Sequence, residues 1–182
     1  MALAARRDAA TYRDILASNA EEFERLARMV SDMLLLAKTA RGVDLPHKER
    51  FSARQDALAL LDFYEAVAEE KHIRLRVEGD GEIEGDRLMF RRAVSNLLSN
   101  ALKFTPHGEV RLEAEYLYGE LCISVRDTGV GISAEEKERI FGAFERLDNA
   151  RNIPGFGLGL AITARLVSEM RGRVEVKSVP GE

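Results

Sequence analysis

The first forty residues carry a helical pattern of apolar positions. Between Thr11 and Ala40 there is neither Pro nor Gly, and apolar residues recur in alternating steps of four and three, the spacing of a heptad seam. The seam is Leu16, Ala20, Phe23, Ala27, Val30, Leu34 and Ala37, and a second row beside it is Leu26, Met29, Met33, Leu36 and Ala40. One helix cannot bury two rows on itself. Unless the stripe is a chance feature of a polar helix, the pattern predicts a helical bundle, with dimerisation as the natural source of the partner.

The helical pattern stops at Arg41-Gly42, and Pro46 prevents it from resuming. We therefore predict three units. Residues 1–41 form a helix of the bundle, residues 42–50 a linker, and residues 51–182 a separate domain.

The third unit alternates between helical and strand-like patterns. Ser52 with Gln55 fits a capping box that opens a second helix, the run IRLRVEG alternates as a half-buried strand does, and a third helix begins at Asp86. The runs EVRLEAEYL and ELCISVRD, separated by Tyr118-Gly119, predict an antiparallel hairpin. A helix over 158–170 and a strand, RVEVKS, follow. This order favours an α+β fold, a two-layer sandwich with a mixed, largely antiparallel sheet covered by helices.

Composition narrows the classes of function. The 182 residues suit one domain plus an appendage, 46% of them are hydrophobic, and the formal net charge of −4 argues against a nucleic-acid partner. The single Cys122 excludes an intrachain disulfide and fits a reducing, cytoplasmic setting. The sequence shows no apolar run long enough to span a membrane and no signal peptide at its start.

The stretch DTGVGIS is the first candidate for chemistry. Glycine allows a ligand to approach the backbone closely, so Asp127 with Gly129 and Gly131 predicts the floor of a small-molecule pocket. The alternative is a loop that only caps a helix, because Ser133 and Glu136 fit a capping box.

A second candidate lies on the third helix, within NLLSNALKFTP. Asn96, Asn100 and Lys103 are spaced to share one helix face. An amide oxygen can ligate Mg²⁺, which takes much of its remaining shell from phosphates and water, and a lysine can meet a phosphate as a point charge. The alternative is an ordinary solvated face.

A third candidate is PGFGLGLAI, where Gly155, Gly157 and Gly159 precede a helix. Backbone N–H groups at a helix N-terminus bind phosphate, and the polar residues 145–156 predict a mobile lid. The spacing matches neither a P-loop nor a dinucleotide fingerprint.

Four motifs in this order carry a family resemblance. NLLSNALKFTP, DTGVGIS, IFGAFERLD and GFGLGLAI, between residues 96 and 162, resemble the N, G1, F and G2 boxes of sensor histidine kinases. The catalytic domain of these kinases shares the ATP-binding fold of gyrase, MutL and the heat-shock chaperones. EEFERLARMVSDMLLLAKTA resembles the second helix of their dimerisation and phosphotransfer hairpin, and is most similar to the heavy-metal sensor group.

The resemblance implies ATP and Mg²⁺ as ligands and a role for each matched residue. Asp127 receives the adenine amino group, Gly129 and Gly131 form the floor beside it, and Phe104 and Ile132 also contact the nucleotide.

At the phosphate end the resemblance makes Asn100 the Mg²⁺ ligand, with Asn96, Lys103 and Arg146 as catalytic residues on the phosphate side. The remaining implied nucleotide contacts are Phe144, Gly155, Gly157, Leu158 and Gly159. Phe141 and Phe144 match the F box and are expected to pack under the lid, unless they serve the core alone.

Two departures from the family pattern limit the resemblance. The family's acceptor is a histidine followed by an acidic residue on the first hairpin helix, and we expect no such helix before residue 11. The neighbours of His47, His72 and His107 indicate surface positions for all three. The family's last strand also continues beyond Glu182, so we expect an excerpt of a longer, membrane-anchored sensor kinase with a truncated last strand.

The expected function is transfer of the ATP γ-phosphate to a histidine outside this chain. The implied partners are the acceptor hairpin, a response regulator and a second copy of the kinase. The alternatives are a nucleotide-binding scaffold without catalytic output and a serine kinase that silences a sigma factor.

Overall fold

The computed structural model describes residues 9–39, 48–147 and 155–181. Its helices and strands confirm the predicted α+β class. In chain order they are α1 (Ala9–Thr39), β1 (Glu49–Ser52), α2 (Ala53–Glu70), β2 (Ile73–Gly79), β3 (Glu82–Gly85), α3 (Arg87–Phe104), β4 (Gly108–Leu117), β5 (Glu120–Asp127), α4 (Ala134–Lys137) and α5 (Gly159–Glu169).

The main sheet has the order β2-β4-β5, in which β4 runs parallel to β2 and antiparallel to β5. Val110, Leu112 and Ala114 point to its inner face and are almost fully buried. Helices α2 and α3 cover this face, and Leu98 and Leu102 of α3 belong to the same core. One layer of helices on one face of a sheet is the two-layer sandwich expected from the alternating runs.

The predicted hairpin is confirmed. Strands β4 and β5 pair from Leu117 opposite Glu120 down to Val110 opposite Asp127. Tyr118 and Gly119 both have positive φ, 53° and 86°, as a two-residue type I′ turn requires.

A small second sheet was not predicted. Strand β1 pairs antiparallel with β3, and Phe51 lies opposite Ile83. Phe51 is buried, with its ring centroid 5.3 Å from that of Phe90 in α3. Residues 49 and 50, which we had placed in the linker, therefore belong to a strand, while residues 42–47 lie outside the described part.

The predicted strand RVEVKS does not form. Residues 172–179 carry no strand assignment, although their alternation of apolar and charged residues matches one. Just after this segment, Gly181 N donates to Val130 O, in the loop after β5, at 3.1 Å. The end of the chain therefore contacts that loop without adding a strand to the sheet.

Helix α1 contacts α5 through a second apolar cluster. Met29 and Leu35 pack against a core of Ala93, Leu158, Ile162 and Leu166, and Arg92 of α3 donates to Asp32 of α1. Much of the predicted seam stays exposed, with Leu16 at 65% and Phe23 at 71%. The apolar face of α1 is thus wider than its contact with the rest of this chain.

Among the described helices, none combines the length and the apolar character that a membrane span needs.

Candidate nucleotide site

Helix α3 carries the predicted asparagines and lysine. Asp86 caps its start by accepting from Met89 N, at 3.0 Å. Its apolar face enters the main core, which leaves Asn96 and Asn100 half-buried on another side and Lys103 exposed in the last turn. The helix therefore presents two amides at its middle and a cation at its end.

The two asparagines face the start of α5. Asn96 Nδ2 donates to the carbonyl of Gly159 at 3.2 Å. A methyl group on Gly159 would lie 3.8 Å from Asn96 Cγ and 3.9 Å from Asn100 Nδ2. The structure thus brings the asparagine pair and the last of the three predicted glycines together, and a side chain at Gly159 would occupy the space in front of both amides.

The N-terminus of α5 is suited to an anion. Leu158 is its N-cap residue, buried at 2% exposure, and makes no side-chain capping bond. The first N–H groups of such a helix lack intrahelical partners and favour negative charge. The buried Thr163 donates from Oγ1 to Gly159 O, one turn earlier in the same helix, at 2.9 Å.

The loop after β5 is built around Asp127. Its Oδ1 accepts from Gly129 N at 2.9 Å and from Thr105 Oγ1 at 3.5 Å. A methyl group on Gly129 would lie 2.6 Å from both Asp127 Oδ1 and Phe104 O, so glycine is required by close packing. The carboxylate is exposed, and both bonds leave Oδ2 for a ligand.

The predicted helix cap is also present. Ser133 Oγ accepts from Glu136 N, and Glu136 Oε2 accepts from Ser133 N at 3.0 Å, which completes a capping box at the start of α4. The stretch DTGVGIS therefore caps α4 through Ser133, while Asp127 is exposed and Gly129 and Gly131 are half-buried in the same loop. The pocket floor at Asp127 and the glycines stays a prediction.

The capping box predicts an acid sensitivity. The Ser133 backbone N–H, its hydroxyl and the charge of Arg139 lower the pKa of Glu136. A carboxylate with a lowered folded-state pKa stabilises the protein above the ordinary pKa of glutamate, about 4.3, and this stabilisation is lost as the pH falls through the folded-state value. Thermal midpoints of the parent and of Glu136→Gln should therefore converge as the pH is lowered from about 6 to about 3.

The exposed Glu135 of the same turn supplies the control, because Glu135→Gln should show a smaller dependence on pH. A difference between the parent and Glu136→Gln that stays constant across this range would contradict the assignment.

The segment matching the F box lies beside the second glycine. Phe144 N donates to Gly157 O at 2.9 Å, and φ is 67° for Phe144 and 70° for Gly157. Phe141 is half-buried, but the Phe144 side chain is 52% exposed. Residues 148–154 of the expected lid lie outside the described part, so the packing of Phe141 and Phe144 under it stays a prediction. Arg146 is exposed.

Two groups of the predicted residues contact each other around α3. Asn96, Asn100 and Gly159 meet directly, and Gly129 packs on the carbonyl of Phe104 at the end of α3. Lys103 and Arg146 are exposed, and Gly155 and Ile132 are half-buried.

A depression of about 210 Å³ lies elsewhere, lined by Glu109, Arg111, Arg126, Asp127 and Thr128. Of these lining residues, only Asp127 is a predicted site residue. Glu109 and Arg111 alternate with the buried Val110 and Leu112, and Arg126 lies opposite Arg111, so these residues belong to the other face of the sheet. We place the candidate site on the side of α3 and α5, where Asn96, Asn100 and Gly159 lie together.

Two supporting residues were missed. Thr105 is fully buried and donates to Asp127, and Ser178 Oγ accepts from Ile132 N at 2.9 Å. The hydroxyl of Thr105 at the end of the predicted third helix was a signal for its role. No local signal pointed to Ser178, because its partner Ile132 lies 46 residues away.

Comparison with known proteins identifies the family. Residues 85–182 match the family described as histidine kinase-, DNA gyrase B- and HSP90-like ATPase. This region begins just before α3 and contains every predicted site residue. The chain belongs to this ATPase family.

Named relatives are sensor kinases. The chain is 39% identical to the sensor protein IrlS of Burkholderia pseudomallei (strain K96243) over 99% of its own length and 39% of the relative's. It is 39% identical to the sensor histidine kinase CusS of Escherichia coli (strain K12), over 98% of its length and 38% of the relative's. The chain thus spans about two fifths of the curated relatives that it matches.

Solved structures agree with this class. Full-length ShkA in complex with AMPPNP superposes with a TM-score of 0.79 at 29% identity, over 91% of this chain and 35% of that chain. The catalytic domain of the histidine kinase ThkA superposes with a TM-score of 0.61 at 25% identity, over 68% of this chain and 82% of that chain.

Proposed function

We propose that this chain is the ATP-binding catalytic module of a sensor histidine kinase, which transfers the γ-phosphate of Mg²⁺-ATP to a histidine outside the chain. The observation that carries the proposal is the convergence of three motifs at α3. Asn96 and Asn100 face Gly159 at the uncapped start of α5, and the end of α3 contacts the Asp127 loop.

The adenine end of the site is the Asp127 loop. A carboxylate accepts hydrogen bonds, and the exocyclic amino group of adenine donates them. Asp127 Oδ1 is already bound to Gly129 N and Thr105 Oγ1, so the carboxylate is oriented before the base arrives and Oδ2 is available to accept from it. The lack of a side chain at Gly129 lets the loop pack against the carbonyl of Phe104, which keeps Asp127 next to the end of α3.

The phosphate end lies between α3 and α5. Asn100 has an amide oxygen of the kind Mg²⁺ accepts as a ligand, and Gly159 leaves space in front of that amide. When bound, Mg²⁺ would neutralise phosphate charge. Asn96 is held by Gly159 O, the N-terminus of α5 favours the phosphate anions, and Lys103 and Arg146 supply positive charge at exposed positions.

The acceptor histidine lies outside this chain in our proposal. His72 and His107 are exposed, His47 is outside the described part, and none of the three is followed by an acidic residue. The exposed seam of α1, with Leu16 and Phe23, is the surface on which we place the hairpin helix bearing the acceptor and the second copy of the kinase. A response regulator would then receive the phosphoryl group.

Radiolabelled ATP tests this function. The purified chain should bind Mg²⁺-ATP but gain no acid-labile phosphate. A hairpin peptide that carries the acceptor histidine, added in trans, should be phosphorylated slowly, because an encounter replaces a tethered reaction. The rate should saturate with hairpin concentration if the α1 seam binds the hairpin. Binding without transfer would support a scaffold instead, and self-labelling would show that one of the three histidines is the acceptor.

Base selectivity tests the role of Asp127. Asp127→Asn keeps the shape of the side chain but can present an N–H to the adenine amino group, so the preference for ATP over GTP should fall about tenfold, the effect of one lost charged hydrogen bond. Both affinities can be measured by calorimetry. Asp62→Asn, at an exposed position of α2, is the matched control, and an unchanged ratio in Asp127→Asn would refute the assignment.

A further inference from the structure

The segment after α5 contacts the Asp127 loop although it forms no strand. Ile132 N donates to Ser178 Oγ at 2.9 Å, and Gly181 N donates to Val130 O at 3.1 Å. The carbonyl of Ser178 in turn accepts from Lys137 Nζ at 2.8 Å. Three hydrogen bonds thus join residues 178–181 to the loop and to α4, which follows it.

Close packing accompanies these bonds. Gly131 has φ 71°, and a methyl group there would collide with Val179 O and lie 2.8 Å from Pro180 Cα. The backbone of the C-terminal segment therefore lies directly against the backbone of the loop. This contact accounts for the second glycine of DTGVGIS on structural grounds.

The loop is held from its opposite side by α3. Val130 N donates to Phe104 O at 3.3 Å, and Asp127 accepts from Thr105. Val130 therefore bonds to α3 through its N–H and to the C-terminal segment through its carbonyl. Helix α3 and the C-terminal segment therefore both position the loop, because α3 bonds to the N–H of Val130 and the C-terminal segment bonds to its carbonyl.

Ser178 has the most specific contact of the C-terminal segment. Its side chain is half-buried and is the acceptor for the N–H of Ile132, the residue before the capping Ser133. Alanine at this position would leave that N–H without its partner. Because an unpaired backbone group away from water costs about as much free energy as a lost hydrogen bond, a shift of the loop that gives the N–H another acceptor would be favoured. Such a shift would move the glycines and Asp127, which belong to the same short loop.

We propose that Ser178 is a positioning residue for adenine recognition, acting through the Ile132 N–H to hold the Asp127 loop against α3. This inference rests on the proposed function, because it takes that loop to be the element that binds the base. Ser178 itself need not touch the nucleotide.

Ser178→Ala should weaken ATP binding about 3- to 10-fold, the range expected for the loss of one ordinary hydrogen bond. Because a misplaced Asp127 reads the base less well, the ratio of ATP to GTP affinity should fall as well. Ser178→Thr retains the hydroxyl and should restore most of both values. Amide hydrogen exchange at Ile132 should be faster in Ser178→Ala than in the parent.

Ser168→Ala, at an exposed position of α5, provides the matched control and should leave affinity and selectivity unchanged. If the parent binds ATP and Ser178→Ala matches it in affinity and in base selectivity, the positioning role is wrong while the proposed function stands. A weaker Ser178→Ala with an unchanged ratio also overturns the role in base recognition. If the parent binds no ATP, the proposed function itself fails.

Discussion

Asn100→Ala is expected to weaken Mg²⁺-ATP binding about 10- to 100-fold, taking the loss as about 1.5–3 kcal/mol for one contact to a charged group. The residue is half-buried and faces Gly159 rather than the main core. Its truncation should therefore leave the thermal midpoint of the protein without nucleotide almost unchanged. Calorimetric titration with ATP, in excess Mg²⁺ and again in a chelator, measures the effect.

The comparison of the two titrations separates a metal ligand from a general contact. If Asn100 binds Mg²⁺, the parent and the variant should differ in Mg²⁺ and differ little in chelator. Asn19→Ala, at an exposed position of α1, is the control for the substitution itself. Equal affinities of Asn100→Ala and the parent in Mg²⁺ would rule out the ligand role.

Leu98→Ala is expected to lower the free energy of unfolding by about 2–5 kcal/mol. Leu98 is 1% exposed and lies in the core between α3 and the sheet, where truncation removes buried apolar surface and leaves a cavity. Leu88→Ala makes the same chemical change in the same helix at a side chain that is 76% exposed, so its effect should stay within about 0.5 kcal/mol.

Urea unfolding of both variants measures these differences. A loss below about 1 kcal/mol for Leu98→Ala would be inconsistent with a packed core at this position. Helix α3 also carries Asn96 and Asn100, so unfolding of Leu98→Ala would itself abolish nucleotide binding. The nucleotide affinity of this variant should therefore be compared with that of the parent only under conditions in which both are folded.

The features predicted correctly from sequence are those encoded by neighbouring residues. Tyr118-Gly119 between two alternating runs indicated the antiparallel hairpin, and Ser133 with Glu136 indicated the cap of α4. The spacing of Asn96 and Asn100 placed both amides on one side of a helix. In each case the physical cause lies within a few residues of the effect, so the local sequence is sufficient.

The features that were missed depend on contacts between distant segments. Strands β1 and β3 have four residues each, too few for alternation to be recognised, and the burial of Phe51 against Phe90 joins residues 39 positions apart in the sequence. RVEVKS alternates like a strand but does not extend the sheet, and Ser178 contacts Ile132 across 46 residues. Only the assembled fold shows these pairings.

The turn at Tyr118-Gly119 offers a practical handle on this protein. Tyr118 is fully exposed, and a methyl group on Gly119 would meet nothing within 4 Å. The hairpin register places this tip seven residue pairs from Asp127, or about 24 Å at the rise of an antiparallel strand. A short peptide tag or a dye inserted between the two residues would extend into solvent. It would allow surface immobilisation or distance measurements by energy transfer while leaving the Asp127 end of the hairpin untouched.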